Sequence, residues 1–546
     1  AQRILERERY SFRFFLHRSA VFETRLGSGV LHRGLDPSLF SHWRPQREEG
    51  GLAPPWSLLT PSRFDVVFAL LYAKARCDSR RRKACGAHRV SPVPAFVRRA
   101  YLRYMELWTS VQQRPLSSHW DASHHLSSFD GLLDALATSD GMGAMQPVSV
   151  IPVEEEKDWP LFLRAGAHRV AAALALGLEE VPVLRYRPPT WGLEGGLTTF
   201  SWRFFLRAGY PKEEADFAVY QLVDASLASR AGSGEMHLLL LWPVAMLQLA
   251  KARSGSDPAW SGAMDAVLSA MECSGQSPNP EGWCEVWYWK AAFLGAQGLE
   301  ALLGLAFGPR RWAAWEVEAL HREGAPTLGV WLRASSGAGA AAAASRLLAG
   351  LGLEPGRRTS ESGSTFYVTE RPEDTKLLSQ ALLFQESLQL LVFAKGGGAW
   401  CAAAADFLGR ALSAADLSAS TSSSGVALLP EDVLLGPDFT LSAYGLAMQR
   451  PRHLDLVFDQ DAVSPEVAAL LRLDPVVAWG TELSEFVPHH RDASEPLSSP
   501  TSSGYCRGLR FLSLAQAAHF KGVRNASSAD RTEASALRRA HRVWGR

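Results

Sequence analysis

The stretch LFLRAGAHRVAAALALGLEEVPVLRY, from Leu161 to Tyr186, limits how this chain can fold more than any other. An apolar run ends at Gly166, and an alanine-rich segment follows that ends at a second glycine, Gly177. Alanine favours helix, and glycine is the residue that commonly follows a helix end. The VPV segment after Gly177 is typical of a strand. We therefore predict a strand, a tight turn, a helix and a further strand, which together form a compact α/β unit.

The turn in this stretch, Gly166-Ala167-His168-Arg169, has the chemistry of an anion site. Glycine lets the backbone approach a ligand, and a helix start supplies free N–H groups and the positive end of the helix dipole. Arg169 can bind a phosphate through two N–H groups, and His168 can donate a hydrogen bond or act catalytically by moving a proton. The alternative is a purely structural turn in which Arg169 caps the helix or forms an internal salt bridge.

Two segments before the turn extend the pattern. SSFDGLLDALATSDG predicts a helix that stops at a glycine, and QPVSVIPV predicts a strand. With these segments, residues of about 120–186 resemble the ParB/sulfiredoxin-like domain. Members of that family carry a strand, a Gly-x-(His/Arg)-Arg turn, an alanine-rich helix, a glycine and a closing VPV strand. The resemblance implies that Gly166, His168 and Arg169 hold the phosphates of a nucleotide of the ATP or CTP class.

Two alanines in the turn depart from the family pattern. Sulfiredoxins have a catalytic cysteine immediately before the His-Arg pair, where this chain has Ala167. We therefore expect that the protein is not a sulfiredoxin. ParB-type and related kinase-type members usually carry an acidic residue in the turn, and Ala165 and Ala167 supply none. The resemblance consequently supports phosphate binding more strongly than hydrolysis or phosphoryl transfer.

The C-terminal segments FTLSAYGLAMQRPRHLDLVFDQD and GLRFLSLAQAAHFKGVR…ADRTEASAL resemble a degenerate nucleotidyltransferase-fold domain. Domains of that fold hold Mg²⁺ with two carboxylates on one strand face. By position, Ser442 matches the serine of the family's turn, and Asp455 matches the second metal carboxylate, a catalytic residue. Lys521 and Asp530 match residues of the family's C-terminal tail. The resemblance therefore implies a magnesium site at Asp455.

This second resemblance is incomplete at two positions. His453 stands where the first metal-binding aspartate is expected, and Leu441 stands where the turn has a glycine. Alternation along a strand also places Asp455 and Asp459 on one face, so a shifted pair of carboxylates is an alternative. The missing carboxylate favours a domain that binds or scaffolds without catalysis.

A chain of 546 residues exceeds the size of one ordinary core, so we predict an α/β multidomain protein. Its parts are an irregular N-terminal region over 1–95, a ParB/sulfiredoxin-like domain over 96–190, a mostly helical middle domain over 191–416, a serine-rich linker over 417–425, and a nucleotidyltransferase-like α/β domain over 426–546. Within the first region, RFDVVFALLYAKA predicts one buried segment. In the middle domain, WCEVWYWKAAFLGAQGLEALLGLAFG predicts a buried helix or helix pair.

Composition narrows the classes of partner. The 57 basic residues nearly balance the 56 acidic ones, which disfavours broad nucleic-acid binding. Six scattered cysteines without a matching ligand pair predict reduced thiols, with neither zinc nor haem. The run LLLLWPVAMLQLA is interrupted by Pro243 and is shorter than the roughly 20 residues of a membrane span, so no membrane partner is expected. We predict a cytoplasmic protein.

Three functions agree with these features. The first is a phosphoryl- or nucleotidyl-transferase that uses a nucleotide and Mg²⁺ on a small molecule or sugar. The second is a non-catalytic binding or scaffold protein with degenerate enzyme domains. The third is a nucleic-acid-associated protein that uses the RRRK segment (80–83) and the ParB-like domain. The sequence favours a nucleotide or a phosphorylated small molecule as partner, and it leaves the oligomeric state open.

Overall fold

A computed structural model gives the architecture. It describes residues 47–59, 63–77, 93–111, 122–138, 145–152, 161–186, 209–228, 235–254, 267, 284–308, 314–334, 336–351, 365–393, 433–444, 446, 456–458, 480–482, 499–524 and 528–544. These residues form a mixed helix-and-sheet protein, in agreement with the general α/β class that the sequence predicts. The predicted metal ligand Asp455 and the RRRK segment (80–83) lie outside the described residues.

The first unit contains the strand–turn–helix–strand that the sequence predicts. Its elements are β1 (Arg47–Ala53), α1 (Asp65–Arg76), α2 (Ala95–Val111), α3 (Ala122–Thr138), β2 (Val148–Pro152), β3 (Leu161–Ala165), α4 (Ala167–Leu176) and β4 (Val181–Tyr186). The described strands lie in the order β1-β4-β2-β3, and β4 runs parallel to β2 and antiparallel to β1. Since β1 pairs with β4, the region over 1–95 contributes to this sheet rather than standing apart from it.

Helix α1 is the centre of the first unit. The consecutive residues from Asp65 to Ala73 are all buried, so the helix is covered on every side. Helices α2 and α4 pack against it. A helix that is apolar all round is stable only inside a core, which explains why this segment is enclosed. The buried segment predicted from RFDVVFALLYAKA is confirmed.

The second unit adds a sheet to the region predicted as mostly helical. Its elements are α5 (Lys212–Ala228), β5 (Glu235–Leu241), α6 (Pro243–Ser254), β6 (Cys284–Ala292), α7 (Ala296–Ala306), α8 (Ala314–Leu320), β7 (Thr327–Ala334), α9 (Gly337–Gly350), β8 (Phe366–Val368), α10 (Pro372–Leu383) and α11 (Gln385–Phe393). The described strands lie in the order β6-β7-β5-β8, and all neighbours are antiparallel. With α6 and α9 as its two crossovers, this is the split βαβ arrangement.

The two faces of this sheet pack against different helices. Leu239 and Leu241 of β5 belong to a core with residues of α6 and α9. Leu238 and Leu240, which alternate with them, belong to the larger core that includes α1 and α5. Neighbouring residues of a strand point to opposite faces, so one apolar run serves both cores.

The tryptophan-rich run was predicted as a helix or helix pair, and that prediction is wrong for its first half. Residues Cys284–Ala292 form strand β6, and only the second half forms helix α7. Aromatic and β-branched side chains favour strands, and they outweigh the apolar pattern that suggested a helix. The pairing with β7 is irregular between Val286 and Tyr288, so the buried Trp287 sits in a bulge.

Helix α5 joins the first and second units. Its Asp224 accepts hydrogen bonds from Lys74 of α1 at 2.6 Å and from Lys376 of α10 at 2.7 Å. About two turns earlier along α5, Asp216 binds Lys290 of β6 at 2.8 Å, and both side chains are buried. A buried charge is tolerated only when it is paired, so Asp216 and Lys290 fix the position of α5 on the second sheet.

The C-terminal unit is built on a third sheet. Its elements are β9 (Val433–Leu435), α12 (Pro437–Ala443), β10 (Leu456–Phe458), β11 (Gly480–Glu482), β12 (Ser503–Cys506), β13 (Leu509–Leu512), α13 (Leu514–Arg524) and α14 (Ser528–Trp544). The described strands lie in the order β11-β10-β9-β13-β12. At the junction with α11, the carboxylate of Glu386 accepts hydrogen bonds from the Leu514 N–H at 3.3 Å and from the Tyr444 hydroxyl at 3.2 Å. Burial raises the pKa of Glu386 to about 7.

The structure bears on two predictions, that the protein has no membrane partner and that its cysteines are reduced. Within the described ranges, no helix is long and apolar enough to cross a membrane. Cys77 is a buried free thiol, whereas Cys506 is disulfide-bonded. The prediction of reduced thiols is therefore wrong for Cys506. The cytoplasmic location stays a prediction.

Candidate anion-binding site

The turn between β3 and α4 requires a glycine. Gly166 has a φ of 110°, in the left-handed region that glycine adopts without strain. A Cβ atom on Gly166 would lie 2.7 Å from Cγ1 of Val148 on β2, which is too close for two carbon atoms. Gly177 closes the helix with a φ of 69°, and its N–H bonds back to Ala173 and Leu174 carbonyls. The sequence signals for both turns are confirmed.

The first N–H groups of α4 have no partner within the helix. Gly166 is the N-cap, and because glycine has no side chain it cannot cap the helix with a side-chain hydrogen bond. The first bond inside the helix runs from the Val170 N–H to the Gly166 carbonyl at 3.0 Å. The N–H groups of Ala167, His168 and Arg169 therefore precede the helical ladder, as in every helix start, and they carry the positive end of the dipole.

The guanidinium of Arg169 is fixed against this turn. Its Nη1 donates to the Gln146 carbonyl at 2.8 Å and to the Pro147 carbonyl at 2.6 Å, just before β2. Its Nη2 lies 3.2 Å from the position that a Cβ atom on Gly166 would take. Burial lowers the pKa of Arg169, but a guanidinium stays charged in proteins. The turn thus combines a preorganised cation with a helix N-terminus.

His168 faces the interior of the unit. Its Nε2 and the hydroxyl of Tyr101 on α2 share a hydrogen bond of 2.6 Å. The ring of Phe129 on α3 packs edge-on against the imidazole, with 4.7 Å between the ring centroids. Burial lowers the pKa of His168 to about 4, and the nearby Asp65 carboxylate opposes this only in part. The imidazole is therefore neutral at physiological pH and contributes no positive charge to the turn.

A buried ion pair between Arg63 and Asp65 holds the strand that leads into the turn. Arg63 donates from Nε and Nη2 to the carboxylate of Asp65, at 2.8 and 2.6 Å. The Nη1 of Arg63 also donates to the carbonyl of Leu163 on β3. This pair ties the start of α1 to the strand that enters the turn. No local sequence pattern singles out Arg63, Asp65 or Tyr101, because their contacts with the turn, to Leu163 and His168, join residues far apart in the sequence.

Two predicted residues of the C-terminal unit meet at Asp438. The Oγ of Ser442 donates to the Asp438 carbonyl at 2.9 Å, one turn back along α12. The Nζ of Lys521 lies 2.5 Å from Oδ1 of Asp438 and 2.8 Å from Oε2 of Glu533. Hydrogen bonds to both carboxylates raise the pKa of Lys521, although burial acts in the opposite sense. Lys521 thus links α12, α13 and α14, whereas the Ser442 bond lies within α12.

The remaining C-terminal candidates are not positioned by the structure. Asp455 lies outside the described residues, and Asp530 lies near the start of α14 without a described side chain. Among the described residues, no group of three or more His, Cys, Asp or Glu side chains is arranged to hold a metal ion. A magnesium site at Asp455 stays a prediction.

Comparisons with protein-family models, with curated proteins and with solved structures found no match to this chain. The resemblances to the ParB/sulfiredoxin-like and nucleotidyltransferase-fold domains therefore stay predictions.

The two glycines of α4 provide a matched test of the turn. Gly177→Ala introduces only left-handed strain, because nothing lies within 4 Å of the added Cβ, so it should destabilise by about 1 to 2 kcal/mol. Gly166→Ala adds a collision with Val148 and should cost about 3 kcal/mol or more. Thermal melts of both variants measure the difference. Equal losses at the two positions would show that β2 does not confine the turn.

The lowered pKa of His168 predicts acid sensitivity of the first unit. The folded protein binds this proton less tightly than the unfolded chain does, so the contribution is fully present above the ordinary pKa of 6.5 and is lost as pH falls towards about 4. Thermal midpoints of the wild type and His168→Gln, compared between about pH 7 and about pH 4.5, measure it. The wild type should lose more stability than the variant. Parallel losses would place His168 in solvent.

Proposed function

We propose that this protein binds a nucleotide, or another phosphorylated small molecule, at the turn between β3 and α4. The observation that carries the proposal is the Arg169 guanidinium, which two backbone carbonyls hold against the uncapped start of α4. Helix N-termini and arginine are the two groups that proteins most often place around a phosphate. Because the arginine is already fixed, little side-chain entropy is lost on binding.

His168 acts in this proposal by positioning the turn. Its hydrogen bond to Tyr101 and its contact with Phe129 anchor the first turn of α4 to α2 and α3. A neutral imidazole with a pKa near 4 is a weak base at neutral pH, so it is poorly suited to general acid–base catalysis. The proposal therefore keeps Gly166 and Arg169 as the phosphate contacts and assigns no proton transfer to His168.

Binding without turnover is the form of the proposal that the described residues support. Ala165 and Ala167 bring no acidic side chain to the turn. In the C-terminal unit, Ser442 is bonded within α12, and Lys521 forms ion pairs with α12 and α14. A phosphoryl- or nucleotidyl-transferase would need Asp455 and Mg²⁺ in addition, and that function rests on the sequence resemblance alone. We accordingly place a nucleotide-binding or scaffold role ahead of a transferase.

Isothermal titration calorimetry on the full chain tests the site. ATP, ADP and CTP are titrated with Mg²⁺ into the wild type, Arg169→Gln and Arg98→Gln; Arg98 is an exposed arginine of α2 in the same unit. We expect Arg169→Gln to weaken binding at least about tenfold, since a charge-assisted hydrogen bond contributes about 1.5 to 3 kcal/mol. Arg98→Gln should bind like the wild type, because it removes an equal charge from an exposed side chain that forms no hydrogen bond or ion pair with a described residue.

Two further measurements test the role of the Arg169 guanidinium and distinguish a binding protein from a transferase. Arg169→Lys keeps the charge but loses the planar fork, so its affinity should fall between those of the wild type and Arg169→Gln. Release of phosphate or pyrophosphate during prolonged incubation would favour a transferase over a binding protein. If the folded wild type gives no heat with any nucleotide, or if Arg169→Gln binds as tightly as the wild type, the proposed site is wrong.

A further inference from the structure

The C-terminal helix α14 carries a row of arginines on its outer face. Arg531, Arg538, Arg539 and Arg542 are all exposed, and we call them the arginine stripe. Spacings of seven, eight and eleven residues from Arg531 place these side chains on one side of a helix. At a rise of about 1.5 Å per residue, the stripe extends over about 16 Å.

The opposite face of α14 is already used. Ala534, Leu537 and Ala540 are buried, and the helix packs against α13. Glu533, between the two faces, binds the buried Lys521 of α13 at 2.8 Å. Packing and this ion pair therefore fix which side of α14 points outward.

The arginine stripe has no partner within the described part of the chain. None of its four guanidinium groups forms an ion pair or a hydrogen bond with a described residue, although that of Arg538 lies against Gly522 of α13. Arg542 near the helix end interacts favourably with the helix dipole, but Arg531 lies near the start, where a positive charge is unfavourable. Helix stability thus explains Arg542 and leaves Arg531 without a structural reason.

We propose that the arginine stripe binds the phosphodiester backbone of a nucleic acid. All four residues are arginines, whose planar forks match phosphate oxygens better than the point charge of lysine does. Over the length of the stripe a duplex presents roughly ten phosphate charges. The net charge of +1 includes these four arginines, so the 53 other basic residues face 56 acidic ones and binding depends on this helix.

The structure favours a nucleic acid over an anionic membrane. A helix that binds a membrane surface inserts an apolar face between the lipids. The apolar face of α14 consists of Ala534, Leu537 and Ala540, and these residues are buried inside the protein. The stripe therefore offers charge and hydrogen bonds without an apolar surface to insert. This site is separate from the nucleotide-binding turn and does not depend on it.

Fluorescence anisotropy with a labelled duplex of about 20 base pairs tests the proposal on the full chain. With four phosphate contacts, affinity should fall about 100-fold between about 50 and 200 mM salt. The double variant Arg539→Gln/Arg542→Gln should bind more weakly at low salt and lose only about tenfold over the same range. These side chains are exposed, so circular dichroism should show an unchanged fold.

The control is Arg98→Gln/Arg99→Gln, which removes the same charge from exposed positions on α2 and should match the wild type. Arg169→Gln should also match it, which keeps this result distinct from nucleotide binding at the turn. The proposal is overturned if the stripe variant has the salt dependence of the wild type, or if no duplex binds at low salt. Binding to phosphatidylserine vesicles without binding to the duplex would overturn it as well.

Discussion

Burial of helix α1 on every side is the constraint on which the first two units depend. Residues 65–73 are enclosed, so the helix is stable only while α2, α4 and α5 cover it. A buried helix start would leave charge and N–H groups unsatisfied, and Arg63 with Asp65 resolves this by forming an ion pair there. The same arginine holds the Leu163 carbonyl. Core formation and the position of the candidate site are thereby linked.

The candidate site follows from a short sequence of packing requirements. Gly166 allows β3 to pass within contact distance of Val148, where any side chain would collide. That approach brings the carbonyls of Gln146 and Pro147 within reach of Arg169. Backbone neighbours thus hold the turn. Gly166 has no side chain to cap the start of α4. The geometry resembles a preformed anion cradle, in which the ligand replaces water at groups that are already in place.

The sequence predicts those parts of the fold that local signals specify. Gly166, Gly177 and the alanine run define β3, α4 and β4, because turn geometry and helix propensity act over a few residues. Pairing of β1 with β4 joins residues more than a hundred positions apart, and no pattern within β1 announces it. The strand at Cys284–Ala292 was missed since its dense apolar pattern is shared by buried helices and strands.

Among the predicted site residues, local sequence also places some correctly, whereas distant contacts decide the role of others. Gly166 and Arg169 lie together at the turn, as the motif suggests, because neighbours in sequence at a helix start are neighbours in space. His168 points into the core, since Tyr101 and Phe129 come from helices that the motif does not contain. Ser442 bonds within α12, and Lys521 of α13 pairs with Asp438 of α12 and Glu533 of α14. Long-range partners decide the role of each side chain.

Hydrogen–deuterium exchange with mass spectrometry tests the central claim, that the start of α4 binds a phosphate group. The uncapped N–H groups of Ala167, His168 and Arg169 should exchange quickly in the free protein and slow down when ATP and Mg²⁺ are added. Peptides from β6 should keep their exchange rates, and Arg169→Gln should lose the protection. Unchanged exchange at 167–169 in the presence of saturating ATP, ADP and CTP would contradict the account.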